Sequence, residues 1–392
     1  MSNRSSRLAA LPTLAACVLV LAAGLAMAVP LAAGAVETVR APLPSGTETA
    51  GGAWAVLPMG KLSDPSNTFW QLLHRAPGSS HWSVVTPQGV ADNGGLVAGA
   101  STNSVMVGTL PSKLLTFSPL SVSFDQGTTW NPAFLPGALA ARPDALADAG
   151  GTTEGSLAIV GTRVLRVRLG AASWSPLVSL RQLRRVSPRC DATALDAVAA
   201  TPSGSPLIAT GCDRGGTVAV FTASGGSWQQ IGTTLPPSFA GWSTSVLRLE
   251  SAGPVTTALV AAAHAGHAVV VALWQQGGRW TESAPLPAAS GSPLLASSVG
   301  VTGTVAVVVG PKSAPVGYDL SPGGRWTRLP ALPPATGALG PLEPGVGFGG
   351  PVIDAFTVSD GTVLGVYALT PSGTGWAKVQ STEVPLAYGS SG

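Results

Sequence analysis

Charge is scarce in this chain. Asp, Glu, Lys and Arg make up only 10% of its 392 residues, 18 acidic against 21 basic, for a net charge of +3. So slight an excess is too small to imply by itself that the chain holds nucleic acid, and none is expected as a partner. Histidine is scarcer still, with four residues, and His264 and His267 form the single close pair. A zinc site takes about three or four protein ligands, so HAGH reads as a polar turn, and neither a metal nor another cofactor is expected. Cysteine is limited to Cys17, Cys190 and Cys212. What the chain has is apolar and turn-forming. Hydrophobic residues reach 45%, enough for a sizeable core. Gly (50) and Pro (34) make up about a fifth of the chain, below the roughly 25–30% of low-complexity disorder. That composition fits many short strands joined by tight turns.

The N-terminus is a membrane signal. Arg4 and Arg7 precede an uncharged, mostly apolar run from Leu8 to Val36. A run of this length can cross a bilayer as a helix, which takes about 20 apolar residues. It also contains small-x-small cleavage sites at Ala26–Ala28 and Ala33–Ala35, as a cleaved leader would. Residues 1–36 are therefore a signal peptide or a retained anchor. Both readings leave the N-terminus cytoplasmic and export the remainder of the chain, so the expected location is extracytoplasmic, secreted or tethered to the cell membrane. Cys17 sits in a lipobox-like LAAC, although the adjoining VLVL is apolar where a lipidated chain would turn polar. In the oxidising compartment reached by export, the remaining two cysteines predict a Cys190–Cys212 disulfide.

After a linker at 37–50, one pattern repeats over 51–388. A small-residue turn closes on Trp, then a short strand begins. The tryptophans are Trp82, Trp130, Trp174, Trp228, Trp280, Trp326 and Trp376, spaced 48, 44, 54, 52, 46 and 50 residues apart. A near-constant period of this size marks a solenoid or propeller. Each interval holds four short runs separated by turn signals, such as ASGGS before Trp228 and Asp360-Gly361 in the last interval. The Ala-rich stretch 257–273 has helix as its rival reading, but its valines and the interrupting HAGH favour strands. The expected fold is all-β, a seven-bladed β-propeller of four-stranded antiparallel blades, preceded by the N-terminal hydrophobic helix. Blades too thin to bury their own faces must stack, which explains a run such as TVAVVVG that is apolar on both sides. The first blade lacks a clear fourth strand, and the tail EVPLAY at 383–388 is a candidate to supply it.

The turn SFDQGTTW, residues 123–130, resembles the Asp-box, S-x-D-x-G-x-T-W, of bacterial neuraminidase repeats. Ser123, Asp125, Gly127, Thr129 and Trp130 all match. WTRLPALPP also looks like kelch repeats. The resemblance implies a sialidase-like propeller in which the box is the turn between a blade's third and fourth strands. Sialidases also need an arginine triad and a Tyr–Glu pair. Here Tyr318, Tyr367 and Tyr388 all lie near the C-terminus, and no F/Y-R-I-P segment precedes the box. Asp125 is thus read as a hairpin residue of a non-catalytic member.

Arg248 and Glu250, two apart on an expected innermost strand and so on one face, are the best catalytic candidates. Asp148 and Asp196 are expected on other innermost strands. The denser cluster is basic. Arg163, Arg166, Arg168, Arg181, Arg184, Arg185 and Arg189 place seven of the chain's seventeen arginines within 27 residues. Arg166 and Arg168 would share a strand face, and RQLRR would lie in the connection to the next blade. Such a patch suits an anionic envelope polymer, a lipid headgroup or an acidic protein. The expected function is a non-enzymatic binding or assembly module of the cell envelope. The alternative is a sialidase-like glycoside hydrolase.

Overall fold

A computed structural model describes residues 43–60, 68–87, 95–109, 120–132, 143–148, 155–167, 174–213, 215–252, 254–288, 294–311, 313–334, 339–347 and 350–384. The apolar leader, Cys17 and Arg168 lie outside them. Among the described residues no helix is long and apolar enough to cross a membrane.

The chain runs as successive antiparallel meanders. The first is β1 (Ser45–Thr49), β2 (Gly52–Gly60), β3 (Thr68–Arg75) and β4 (Ser83–Val84). Next come β5 (Leu96–Ala100), β6 (Val105–Thr109), β7 (Leu120–Ser123) and β8 (Asn131–Pro132), then β9 (Ala145–Ala147), β10 (Ser156–Val160), β11 (Arg163–Val167) and β12 (Ser175–Ser179). A short helix, α1 (Leu180–Val186), leads to β13 (Ala197–Ala200), β14 (Pro206–Gly211), β15 (Thr217–Ser224) and β16 (Ser227–Gln230), with β17 (Thr233–Thr234) also on β15. The next meander is β18 (Ser243–Ala252), β19 (Val255–His264), β20 (His267–Gln276) and β21 (Arg279–Glu282), with β22 (Leu286–Ala288) on β20. β23 (Ala296–Val299), β24 (Val305–Val309), β25 (Val316–Leu320) and β26 (Thr327–Arg328) precede the last group, β27 (Leu339–Gly347), β28 (Gly350–Ser359), β29 (Val363–Leu369) and β30 (Trp376–Glu383). The sheets have four or five strands, except that β1 pairs in parallel with β23 and joins two meanders into eight.

Turn chemistry sets these hairpins. Gly225-Gly226 and Gly277-Gly278 adopt the paired positive φ of a type I′ turn as two-residue connections; Asp360-Gly361 shares the paired positive φ, but Ser359 pairs with Val363, so that connection has three residues. The Ala-rich stretch is strand on both sides of a further two-residue turn: Thr257 pairs with Trp274 and His264 with His267. The turn places Ala265 at φ 48°, a conformation that an L side chain adopts at a cost.

Packing then joins each meander to its neighbour. Val305–Val309 are all buried: Val305, Val307 and Val309 join Leu259, Val270 and Trp274 in a core between β18–β22 and β23–β26, while Ala306 and Val308 join Leu342 and Ala355 in the core with β27–β30. Similar apolar cores link the other neighbours in turn, and one joins the last meander to the first. There Phe356, Val358 and Val366 meet Leu57, Leu73 and Trp82, with the Trp82 and Phe356 rings edge-on at 4.9 Å. The protein is therefore all-β and propeller-like. Three of the repeated tryptophans bond one sheet to the next, whereas Trp376 Nε1 is buried without a hydrogen-bond partner among the described residues. Trp130 Nε1 donates to Val85 O at 2.9 Å and Trp326 Nε1 to Ala284 O at 2.8 Å, while Trp280 Nε1 donates to Ile231 O. Each acceptor lies three or four residues past the preceding repeat tryptophan, so at these three repeats the period seen in sequence is the spacing of a bond between sheets. Trp82 differs: its Nε1 donates to the Asp354 carboxylate at 2.9 Å, beside an Arg75–Asp354 ion pair at 3.7 Å.

Cys190 and Cys212 are bonded, with Cα atoms 5.0 Å apart and a sequence separation of 22. Closing a loop of that length stabilises by about 3 kcal/mol, and a formed disulfide is the chemistry of an oxidising compartment.

One expectation changes in the first meander. Its fourth strand is β1, which lies inside the segment read as a linker at 37–50, and not the tail. Glu383 ends β30 on β29, and 385–388 lie outside the described residues. Five polar or small residues, SGTET, gave β1 no hydrophobic alternation by which to be recognised.

Candidate functional site

The arginine-rich segment folds around a local stop signal. Ser179 ends β12 and caps α1 through a capping box with Gln182, whose Oε1 accepts from Ser179 N at 2.8 Å. Leu180 and Leu183, three apart, turn inward onto the core shared with β13–β16. That registration leaves Arg181, Arg184 and Arg185 exposed. Arg184 is also braced, its Nε donating to Ala192 O at 2.5 Å. Arg163 opens β11 opposite Ser179 in the ladder. A cavity of about 670 Å³ opens here, lined by Thr162, Arg163, Arg181, Arg184 and Thr193 among others, with Leu177, Val178 and Leu180 as its apolar wall. No Asp or Glu among the described residues lines it. Among the described residues Arg163, Arg181 and Arg184 form no ion pair, so three guanidinium groups border one concavity; the nearest acid tied to its lining is Asp213, whose Oδ1 accepts from Thr193 Oγ1 at 3.5 Å. Guanidinium is built for bidentate contact with carboxylate or phosphate.

The structure thus gathers three of the seven arginines. Arg166 is half-buried along β11, Arg185 and Arg189 are exposed outside the cavity lining, and Arg168 is not described. RQLRR, expected as a plain connection, is helical. Thr162 and Thr193 went unnoticed in the sequence, since a lone threonine in a turn carries no signal.

The catalytic candidates lie at the centre, where the first strands of neighbouring meanders lie side by side. Arg248 and Glu250 are both on β18, just after a register shift at Val246. Their surroundings are closed by β1. Arg248 Nη2 donates to Gly46 O at 3.3 Å, and the Thr47 hydroxyl faces Glu250. Burial pushes Glu250 up, with Arg248 and Thr47 opposing, and pushes Arg248 down, with Glu250 and Glu343 opposing. Val301 N donates to Glu48 Oε2 at 3.1 Å.

Glu343 on β27 joins this group, and the sequence reading missed it. It is fully buried, and neither carboxylate oxygen has a hydrogen-bond partner among the described residues. Burial drives its acidity well above the usual carboxylate range. Ser298 tempers the shift, Glu48 adds to it, and Arg75 and Arg248 oppose it. The available signal was one acid in the otherwise uncharged LGPLEPGVG.

The two aspartates expected on innermost strands flank them instead, and both are satisfied. Asp148, directly after β9, accepts from the hydroxyls of Ser101 and Ser156, at 3.2 and 2.8 Å, and from Ser104. Asp196, before β13, accepts Gly211 N at 2.8 Å and Val246 N at 2.7 Å. They are struts between sheets. His264 and His267 face each other across an exposed hairpin end, with His264 stacked on Trp242 at 5.8 Å. Among the described residues no group of His, Cys, Asp and Glu is arranged to hold a metal.

SFDQGTTW spans the turn from β7 to β8. Asp125 Oδ1 accepts Thr129 N at 2.8 Å and Ser123 Oγ at 2.7 Å, and Oδ2 accepts Thr129 Oγ1 at 2.6 Å. Thr129 and Ser123 hold Asp125 at about 2, below the usual carboxylate range. The carboxylate is spent on its own turn. Gly127, at φ 86°, lies against Val85, where a Cβ would come within 2.6 Å.

No family model matches the chain, and no curated protein matches it. Solved structures resemble it at low identity. A Bacteroides uniformis protein assigned as a 6-phosphogluconolactonase is 12% identical, with 84% of this chain and 96% of that one covered and a TM-score of 0.49. A Mycobacterium tuberculosis puromycin-hydrolysing peptidase is 13% identical over 90% of this chain and 55% of its own, with a TM-score of 0.48. AofleA of Arthrobotrys oligospora is 13% identical, covered at 88% and 87%, with a TM-score of 0.40.

Proposed function

We propose that this chain is an extracytoplasmic seven-bladed β-propeller, tethered or delivered by its N-terminal segment, that binds an anionic partner without catalysis. The blade count comes from taking β1–β4 and β23–β26 as separate blades beside the five remaining sheets. The Asp-box resemblance belongs to the same reading, as a blade turn of a non-catalytic sialidase-like relative.

The observation that carries the function is the cavity bordered by Arg163, Arg181 and Arg184 with no acid among the described residues of its lining. Three guanidinium groups on one concavity raise the local concentration of anions and offer them paired donors. The hydrolase alternative is weaker, because Arg248 already serves Gly46 O and Thr47 of β1 engages Glu250. The test is titration with polyglutamate and with long-chain polyphosphate at two salt concentrations. Binding that weakens with salt and falls at least tenfold in an Arg163/Arg181/Arg184→Ala variant supports the proposal. Unchanged binding in that variant overturns it.

A further inference from the structure

Hydrogen bonds between neighbouring meanders fix which end of the molecule each loop occupies. Thr49, the last residue of β1, donates through Oγ1 to Ser101 O at 3.1 Å. Ser101, directly after β5, donates through Oγ to Asp148, directly after β9, at 3.2 Å. The innermost strands β1, β5 and β9 therefore end at one face and start at the other. At the starting face Pro44 O accepts Ser297 N at 3.2 Å. The arginine cavity opens on this same face. Gly161 N, in the turn before Arg163, donates to Oδ2 of Asp144 at 2.8 Å, and Asp144 directly precedes β9. Leu180 N, at the head of α1, donates to Thr162 O at 2.9 Å. Leu43, where the described chain begins, thus shares a face with α1 and its arginines.

That face is basic around the cavity and carries exposed apolar side chains. Arg163, Arg181, Arg184, Arg185 and Arg189 are exposed there, against the exposed Asp144, Asp191 and Asp213. Two of those acids are engaged by their own loops, Asp144 with Gly161 N and Asp213 with Thr193. Val186, which ends α1 beside Arg185, and Leu43 are both exposed. Arginines flanked by exposed apolar groups suit the boundary between water and an anionic bilayer.

We propose that this starting face docks on the membrane, and that the anion its arginines hold is the phosphate headgroup of acidic phospholipids. The proposal rests on the reading of a tethered, anion-binding propeller and names its partner. Seven residues separate Val36, the end of the apolar run, from Leu43. Fully extended they reach about 25 Å. The nine residues of β2, which cross the molecule from face to face, are about 30 Å long. A bilayer-inserted run therefore holds the starting face toward the membrane, because the tether is too short to turn the molecule over. Headgroups then stand at the high effective concentration of a short tether. Guanidinium pairs with their phosphates, Val186 and Leu43 enter the headgroup layer, and the face bearing Ser101 and Asp148 points away.

The experiment uses the full chain with Cys17→Ser, kept oxidised, and a fluorophore attached through Val186→Cys or, as the reference, through Asn103→Cys in the exposed turn after β5. The protein is reconstituted into vesicles of phosphatidylcholine, or of equimolar phosphatidylcholine and phosphatidylglycerol, with nitroxide-labelled headgroups as quencher. In the mixed vesicles the label at position 186 should be quenched at least twofold more than the label at 103. That difference should at least halve in phosphatidylcholine alone and in an Arg185/Arg189→Glu variant, whose exposed positions lie outside the cavity lining. Equal quenching at both positions, or quenching at 186 that ignores phosphatidylglycerol and the two arginines, overturns the proposal. Polyphosphate titration of the same protein separates the two readings. A chain that binds polyphosphate through Arg163, Arg181 and Arg184 without selective quenching at 186 keeps the anion site and loses the membrane, and a chain that does neither loses both.

Discussion

Replacing Glu343 with Gln removes an ionisable carboxyl from the centre while keeping its shape. The consequence is a change in how stability depends on pH. In the unfolded chain Glu343 titrates near about 4.3. In the folded protein burial raises that value well above the ordinary one, and Glu48 reinforces the shift. Below the unfolded value both states hold the proton, and the stability linked to it is fully present. As pH rises, the unfolded state releases its proton while the folded state keeps it. Stability then falls, by about 1.4 kcal/mol per pH unit for one such group, until pH passes the folded value. Glu250 and Asp354 are also raised by burial, so wild type alone mixes several slopes. The difference between Glu343→Gln and wild type isolates one. That difference should grow in favour of the variant as pH rises from 5 through the folded-state value, which burial sets well above the ordinary carboxylate range. Urea unfolding monitored by tryptophan fluorescence at pH 5, 6 and 7 measures it, and eleven tryptophans provide the signal. Parallel stability–pH curves would refute the reasoning, because they would mean that Glu343 is ionised in the folded protein or reaches water.

Two further predictions concern turns. Asp125→Ala should lower the melting temperature at pH 7, because Thr129 and Ser123 lose their acceptor. Since the folded carboxyl is held down to about 2, its contribution is present above the unfolded value and lost as pH falls through the folded one. The gap between variant and wild type should therefore close near pH 2; a gap that persists there would point to a packing effect instead. Ala265→Asn should stabilise by about 0.5–1 kcal/mol, since Asn tolerates the positive φ of a type I′ turn better than Ala does. Chemical denaturation checks this, and a loss of stability would mean the backbone relaxes away from that conformation.

Much of the fold was legible because its signals are local and recur. A glycine pair that permits positive φ and a tryptophan that closes each turn act within a few residues, so they survive in the linear sequence. The type I′ turns at 225–226 and 277–278, the turn at 360–361 and the strands across 257–273 came from that chemistry. So did the Cys190–Cys212 bond, since meander topology brings the ends of an antiparallel pair together. The arginine cluster was visible as density, but its selection was not. Only the capping box at Ser179 and the inward turn of Leu180 and Leu183 decide that Arg181 and Arg184 face Arg163 while Arg185 does not.

Sequence by itself determined the all-β repeat, its turns and the disulfide, because each depends on neighbours within one meander. Tertiary structure alone decided what occupies the centre. β1 is short and polar, and its identity as a strand comes from partners hundreds of residues away: Ser297, Arg248 and Glu343. The meaning of Glu343 arises the same way. An acid in a strand is ordinary until packing removes water from both its oxygens.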